Sequence, residues 1–180
     1  MKLNDFIKVY DDVINKQTCD QLIDMFDNKY KDQHEIHDND LYKFHQLNFG
    51  INEELSAIAQ RFAKALVPYY NDYFHSLNLE KFVGVQGFEE VRIKRYLKGT
   101  EDQFKTHVDV TDKSTAVRYL VTILYLNDND GVTDFPQLGM SVTPKAGRVV
   151  MFPPLWMFPH TGKPPTNNDK YIMMTSLHYI

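Results

Sequence analysis

A chain of 180 residues with a formal net charge of −4, 43% hydrophobic residues and 24% charged ones has the make-up of an ordinary globular domain, which excludes a disordered segment. At this length roughly 70% of the unfolded surface is buried on folding, so a single domain over 1–180 requires neither a second unit nor a disulfide. No Lys/Arg cluster offers a footprint for nucleic acid, no apolar run has the length of a membrane span, and the first residues carry no apolar signal segment; nucleic acid is unsupported as a partner, and a cytoplasmic protein without a membrane partner is expected.

Apolar positions Cys19, Leu22, Ile23 and Phe26 follow helical spacing and Asn15 suits an N-cap, which predicts a first helix over 15–30. The lone cysteine, Cys19, falls on its apolar face and reads as a packed thiol. Residues 31–50 are polar and without sustained period, a long loop with a short strand near 41–49. Leu55, Ile58, Phe62, Leu66, Tyr69 and Tyr73 recur every three or four residues, predicting a second helix over 52–75, kinked at Pro68. The texture then turns to β, with strands predicted at 82–85, 91–96, 104–110, 116–126, 132–135, 141–143, 148–152 and 170–179. The run 116–126 is apolar or aromatic at nearly every position, which suits a strand covered on both faces. Helices followed by short strands argue for a mainly β (α+β) fold, a jelly-roll core at 81–180 supported by a mainly helical 1–80.

In His107-Val108-Asp109 the polar residues are one apart, so on a strand both point to one face and can grip one ion. Alone the pattern is weak: about 0.7 such triplets are expected by chance at this His and Asp content, and a solvated strand edge is the bland alternative. A third ligand would come from His34, His37, His45, His75, His160 or His178. His160 stands apart, because it follows a glycine turn and the apolar strand 148–152, a rigid setting. Two His and one carboxylate on one side of an ion is the arrangement of non-haem Fe(II) oxygenases, whereas a closed structural zinc site wants four ligands, commonly thiolates.

From Val91 onward the chain resembles the prolyl 4-hydroxylase-like branch of the 2-oxoglutarate/Fe(II) dioxygenases. The matching residues run in the family's order: Tyr96, His107-Val108-Asp109, Tyr125-Leu126-Asn127, Thr133-Asp134-Phe135-Pro136, Pro144-Lys145-Ala146-Gly147, His160, and Lys170 ten residues later. Leu177 stands where the peptidyl enzymes often carry Trp, and Asp130-Gly131-Val132 replaces a segment with two glycines and an acid.

The resemblance implies a double-stranded β-helix (cupin-like) core and His107, Asp109 and His160 as iron ligands. It also implies 2-oxoglutarate and O₂ as co-substrates, with ascorbate as a reductant. The far carboxylate of 2-oxoglutarate needs a cation inside a barrel, where an unpaired charge is costly; Lys170 is positioned for that role, with Tyr125 adding a hydrogen bond and Tyr96 a further contact. The implied reaction decarboxylates 2-oxoglutarate to succinate and CO₂ while hydroxylating a C–H bond of a prolyl residue in a peptide or protein. A free amino acid or other small molecule at the same site is one alternative. Others are a non-catalytic β-sandwich binding module and a zinc hydrolase that would give Lys170 no task. Nothing in the sequence specifies an oligomeric state.

Overall fold

The computed structural model describes residues 1–180. Its elements in chain order are β1 (Lys8–Tyr10), α1 (Lys16–Asp24), β2 (Glu35–Asp38), β3 (Tyr42–Asn48), α2 (Glu53–Ser76), β4 (Gly87–Phe88), β5 (Arg92–Tyr96), β6 (Gln103–His107), β7 (Arg118–Tyr125), β8 (Thr133–Phe135), β9 (Met140–Val142), β10 (Val149–Phe152), β11 (His160–Gly162) and β12 (Lys170–His178). Both helices start where a side chain satisfies an otherwise orphaned amide: Asn15 Oδ1 accepts from the Thr18 amide and Asn52 Oδ1 from the Leu55 amide, each at 2.9 Å. The first helix gives way to a π-turn at Met25–Lys29, and α2 runs unbroken through Pro68.

The strands pair antiparallel in the order β1-β10-β7-β12-β5-β3-β6-β11-β8-β9, with β2 on β3 and β4 on β12. This long sheet rolls on itself into a jelly-roll, and the alternation of side chains along each strand sorts two cores. Leu120, Leu124, Val149, Met151 and Met173 pack outward against Leu22, Phe26, Phe62, Leu66 and Tyr70 of the helical layer. Val121, Ile123, Tyr125, Val150 and Phe152 point inward to meet Phe44, Tyr96, Phe135 and Ile172. The apolar run in β7 thus serves both faces, as predicted, and Thr122 among the outward residues is satisfied by the Tyr70 hydroxyl at 2.8 Å. Cys19 is fully buried in the outer core.

Four local expectations change. The short strand expected near 41–49 is present as β3, but the loop before it holds a further strand, β2, and the two form a hairpin whose turn is held by Asn39 Oδ1 accepting from the Leu41 and Tyr42 amides. β3 is central, pairing with both β5 and β6, so the first eighty residues supply three strands besides the helices. Residues 82–85 form no strand; the pairing begins at Gly87. Two short strands, β1 and β11, were not anticipated, and β6 ends at His107, which leaves Asp109 in the loop beyond it.

Candidate active site

A cavity of about 700 Å³ opens inside the roll, lined from β3, β5, β6, β7, β11 and β12. His107 closes β6 and pairs in register with His160, the first residue of β11. The two imidazole centroids are 4.3 Å apart. Each ring is clamped: Phe104 stacks on His107 at 3.5 Å, and Phe152 meets His160 edge-on at 4.6 Å. Asp109 reaches the same point from its loop because its amide, with that of Val110, donates to the Pro154 carbonyl at 3.2 Å, while its own carbonyl accepts from Arg118 Nη1 at 3.0 Å.

The hydrogen bonds fix the tautomers. His107 Nδ1 lies 2.8 Å from the Lys105 carbonyl and His160 Nδ1 lies 3.2 Å from that of Phe158. A carbonyl only accepts, so each Nδ1 carries the proton and each Nε2 offers a lone pair. Those lone pairs face a carboxylate: His107 Nε2 is 3.8 Å from Asp109 Oδ1 and His160 Nε2 is 3.6 Å from Asp109 Oδ2. Burial holds both imidazoles down at about 4, so no ring proton relieves the crowding near neutrality. Burial also pushes the Asp109 carboxyl up, and its Oδ2 is buried with no hydrogen-bond partner. Three donor atoms within 4.8 Å of one another, two of them imidazole lone pairs and one a carboxylate oxygen without a partner, fit a cation. Two nitrogens and one carboxylate, with no thiolate, suit Fe(II) with open positions.

Lys170 opens β12, directly across from Tyr96 on β5. It is 2% exposed, and its ammonium donates to the carbonyls of Gly131 at 3.0 Å and Lys163 at 2.6 Å. Its charge lies 4.5 Å over the Tyr96 ring. An ammonium has three donors, so one remains for the cavity that Lys170 lines. Burial pushes it down to about 7. Tyr96 lines the cavity, and burial pushes its hydroxyl up. Tyr125 is fully buried, and its hydroxyl donates to Thr133 Oγ1 at 2.7 Å; Thr133 rather than Tyr125 lines the cavity. His34, His37, His45, His75 and His178 stand outside the cluster.

Sequence reasoning passed over Arg92 and Lys94. Both line the cavity with Tyr96, because residues 92, 94 and 96 share one face of β5. The same two-residue step that singled out His107 and Asp109 could have found them.

A jelly-roll holding two imidazoles and a carboxylate at the end of its cavity, with a buried lysine further in, defines the class of non-haem iron oxygenases. Residues 91–178, the part of the chain that carries the three ligand candidates and Lys170, match the family model of the 2OG-Fe(II) oxygenase superfamily. The match and the fold together support a 2-oxoglutarate-dependent dioxygenase, with Fe(II) as cofactor and 2-oxoglutarate and O₂ as co-substrates. Among solved structures its fold resembles the viral collagen prolyl hydroxylase of Paramecium Bursaria Chlorella virus-1 in its 2OG complex, at 20% identity and a TM-score of 0.73 over 97% of both chains. A Pseudomonas putida prolyl-4-hydroxylase matches at 15% identity and 0.72, over 97% of this chain and 93% of that one. The Trichoplax adhaerens prolyl hydroxylase, in complex with a hypoxia inducible factor oxygen degradation domain peptide fragment, matches at 14% and 0.75, over 98% and 85%. No curated protein matches by sequence.

Proposed function

We propose that His107, Asp109 and His160 hold Fe(II), that Lys170 binds the far carboxylate of 2-oxoglutarate, and that the hydroxylated group is a prolyl residue of a peptide or protein. The observation that carries the site assignment is the meeting of the three donor atoms in the cavity that Lys170 also lines. The prolyl target is supported by the fold's likeness to three prolyl hydroxylases.

Bound iron and co-substrate supply the oxidising chemistry, and the protein orients the reactants and excludes water. His107 and His160 present their Nε2 atoms in one tautomer, held by the Lys105 and Phe158 carbonyls. Lys170 fixes the co-substrate's far end, with the Tyr96 ring as wall. Thr133 Oγ1, which accepts from Tyr125, keeps its own proton to donate into the cavity. Tyr125 therefore acts through Thr133, a less direct part than the hydrogen bond the resemblance implied.

A second reading puts a free amino acid or other small molecule at the same site, and the buried Lys94 of the cavity favours it. With Fe(II), ascorbate and 2-oxoglutarate, the purified protein releases succinate slowly, and His107→Ala and Asp109→Ala do not. Equal release by variant and wild type refutes the site. A search for products heavier by one oxygen among peptides and metabolites then identifies the target.

A further inference from the structure

Lys94 stands in the middle of β5, 6% exposed and lining the cavity. No hydrogen bond or ion pair in the protein satisfies it; its ammonium lies over ring faces, Phe44 at 4.0 Å and Phe104 at 5.4 Å, and feels the Asp109 and Glu89 carboxylates only at longer range. Ring faces offset part of a buried charge, but a buried ammonium normally has an anion as well. Nearer the opening, Arg92 and Arg118 share the one carboxylate of Glu89, Arg92 at 3.2 Å.

The register of β5 on β12 places Lys94 within the cavity. Tyr96 faces Lys170, Lys94 faces Ile172 and Arg92 faces Met174. Lys94 is therefore one inward-facing step, about 7 Å along the strand, from the anchor proposed for the co-substrate's far carboxylate, and displaced toward the more exposed Arg92. Phe104 ties it to the metal side: its ring is 5.4 Å from Lys94 Nζ and 3.5 Å from the His107 ring.

We propose that Lys94 is a second anion position of this cavity and that the substrate presents a carboxylate to it, within a few bonds of the hydroxylated carbon. This rests on the hydroxylase reading. With a divalent iron and doubly charged 2-oxoglutarate in place, the metal, the two co-substrate carboxylates, Asp109 and Lys170 sum to zero, and protonated Lys94, beside the two guanidiniums that share Glu89, leaves the cavity with an excess of positive charge. Conversion of 2-oxoglutarate to succinate and CO₂ leaves that balance unchanged, since succinate is also doubly charged. The missing negative charge falls to the substrate. A free amino acid carries such a carboxylate, as does the terminal residue of a peptide; an internal prolyl residue has none of its own.

The test loads the protein with Mn(II) and the unreactive co-substrate analogue N-oxalylglycine, then adds acetate as the carboxylate probe and reads its NMR relaxation by the Mn(II). Acetate is relaxed in wild type and in Lys94→Arg, and its binding weakens at least tenfold in Lys94→Met. N-oxalylglycine affinity stays within twofold throughout. The thermal midpoint of Lys94→Met, which loses a buried charge, is at or above that of wild type, which separates a lost site from a lost fold. Equal relaxation in wild type and Lys94→Met overturns the proposal. So does a tenfold loss of N-oxalylglycine affinity in that variant, which would give Lys94 to the co-substrate. If wild type binds no N-oxalylglycine, the hydroxylase reading fails and this one with it. Displacement of acetate by L-proline but not glycyl-L-proline assigns the carboxylate to a free amino acid; the reverse assigns it to a peptide terminus.

Discussion

Lys170→Met removes the proposed carboxylate anchor while keeping most of its volume. In the absence of co-substrate two effects oppose each other. The drop of the ammonium from 10.5 to about 7 corresponds to roughly 4–5 kcal/mol of destabilisation at neutral pH, which the substitution relieves. It also leaves the Gly131 and Lys163 carbonyls, now 3.0 and 2.6 Å from the ammonium, without a donor, at about 1–3 kcal/mol each. These terms oppose each other, so ligand-free stability changes by no more than about 3 kcal/mol in either direction. Binding is affected in one direction only. A co-substrate carboxylate buried against methionine has lost its counter-charge, and breaking a buried pair by removing one partner costs about 3–5 kcal/mol. Affinity for 2-oxoglutarate should fall about 10²- to 10⁴-fold. Calorimetric titration of the Mn(II)-loaded protein with N-oxalylglycine, beside a thermal melt of the free protein, measures both quantities. A loss under tenfold in a variant that melts like wild type would refute the assignment of Lys170.

Two further predictions concern the same anchor. Only the protonated lysine neutralises a carboxylate, and burial holds Lys170 at about 7 when no anion is present; N-oxalylglycine affinity is therefore level below about pH 7 and weakens by up to about tenfold per pH unit above it. Because the unfolded chain keeps Lys170 protonated up to its ordinary range, this group makes ligand-free stability rise between about pH 7 and 10; titrations and melts across pH 6–9 check both signs, and Lys170→Met should abolish the binding slope. A Cβ at Gly131 would lie 2.7 Å from the Lys163 carbonyl and 3.2 Å from Lys170 Nζ, so Gly131→Ala pushes apart the groups that hold the ammonium. Overpacking of this kind costs about 1–3 kcal/mol, and the expected result is about tenfold weaker N-oxalylglycine binding with unchanged Mn(II) affinity; an unchanged analogue affinity counts against the anchor.

What the sequence revealed and what it concealed have one physical origin. Hydrophobic period located α2 and β7 because those segments bury apolar side chains on regular faces, and the Asn15 cap marked the start of α1. Alternation along a strand says that two faces differ, but not which one is inside. In β5 the apolar residue Ile93 packs against the helices, while Arg92, Lys94 and Tyr96 line the cavity. A reader who assigns polar residues to solvent therefore inverts the strand and loses Lys94. β2 was hidden similarly: Glu35–Asp38 lies among polar residues that read as loop, although it pairs with β3, whose Gln46 is 7% exposed and faces the cavity with Phe44. β11 is three residues long, too short for any period, and His160 was found through its spacing to Lys170 instead.

The position of Asp109 connects the metal site to the opening of the cavity. His107 and His160 sit on paired strands, and the ladder sets their separation. Asp109 lies beyond the end of β6, where no ladder reaches. Its main chain is held instead by the Pro154 carbonyl and by the Arg118 guanidinium, and Arg118 in turn pairs with Glu89, which also holds Arg92. The carboxylate among the three proposed ligands is thus placed by charges that line the outer part of the cavity. A substrate anion that drew Arg118 or Arg92 away from Glu89 would loosen the loop carrying Asp109. Lys94 deeper in the cavity, with no ion pair of its own, offers that anion a partner that leaves the Glu89 pairs intact, so the substrate charge can be met without releasing the loop that carries Asp109.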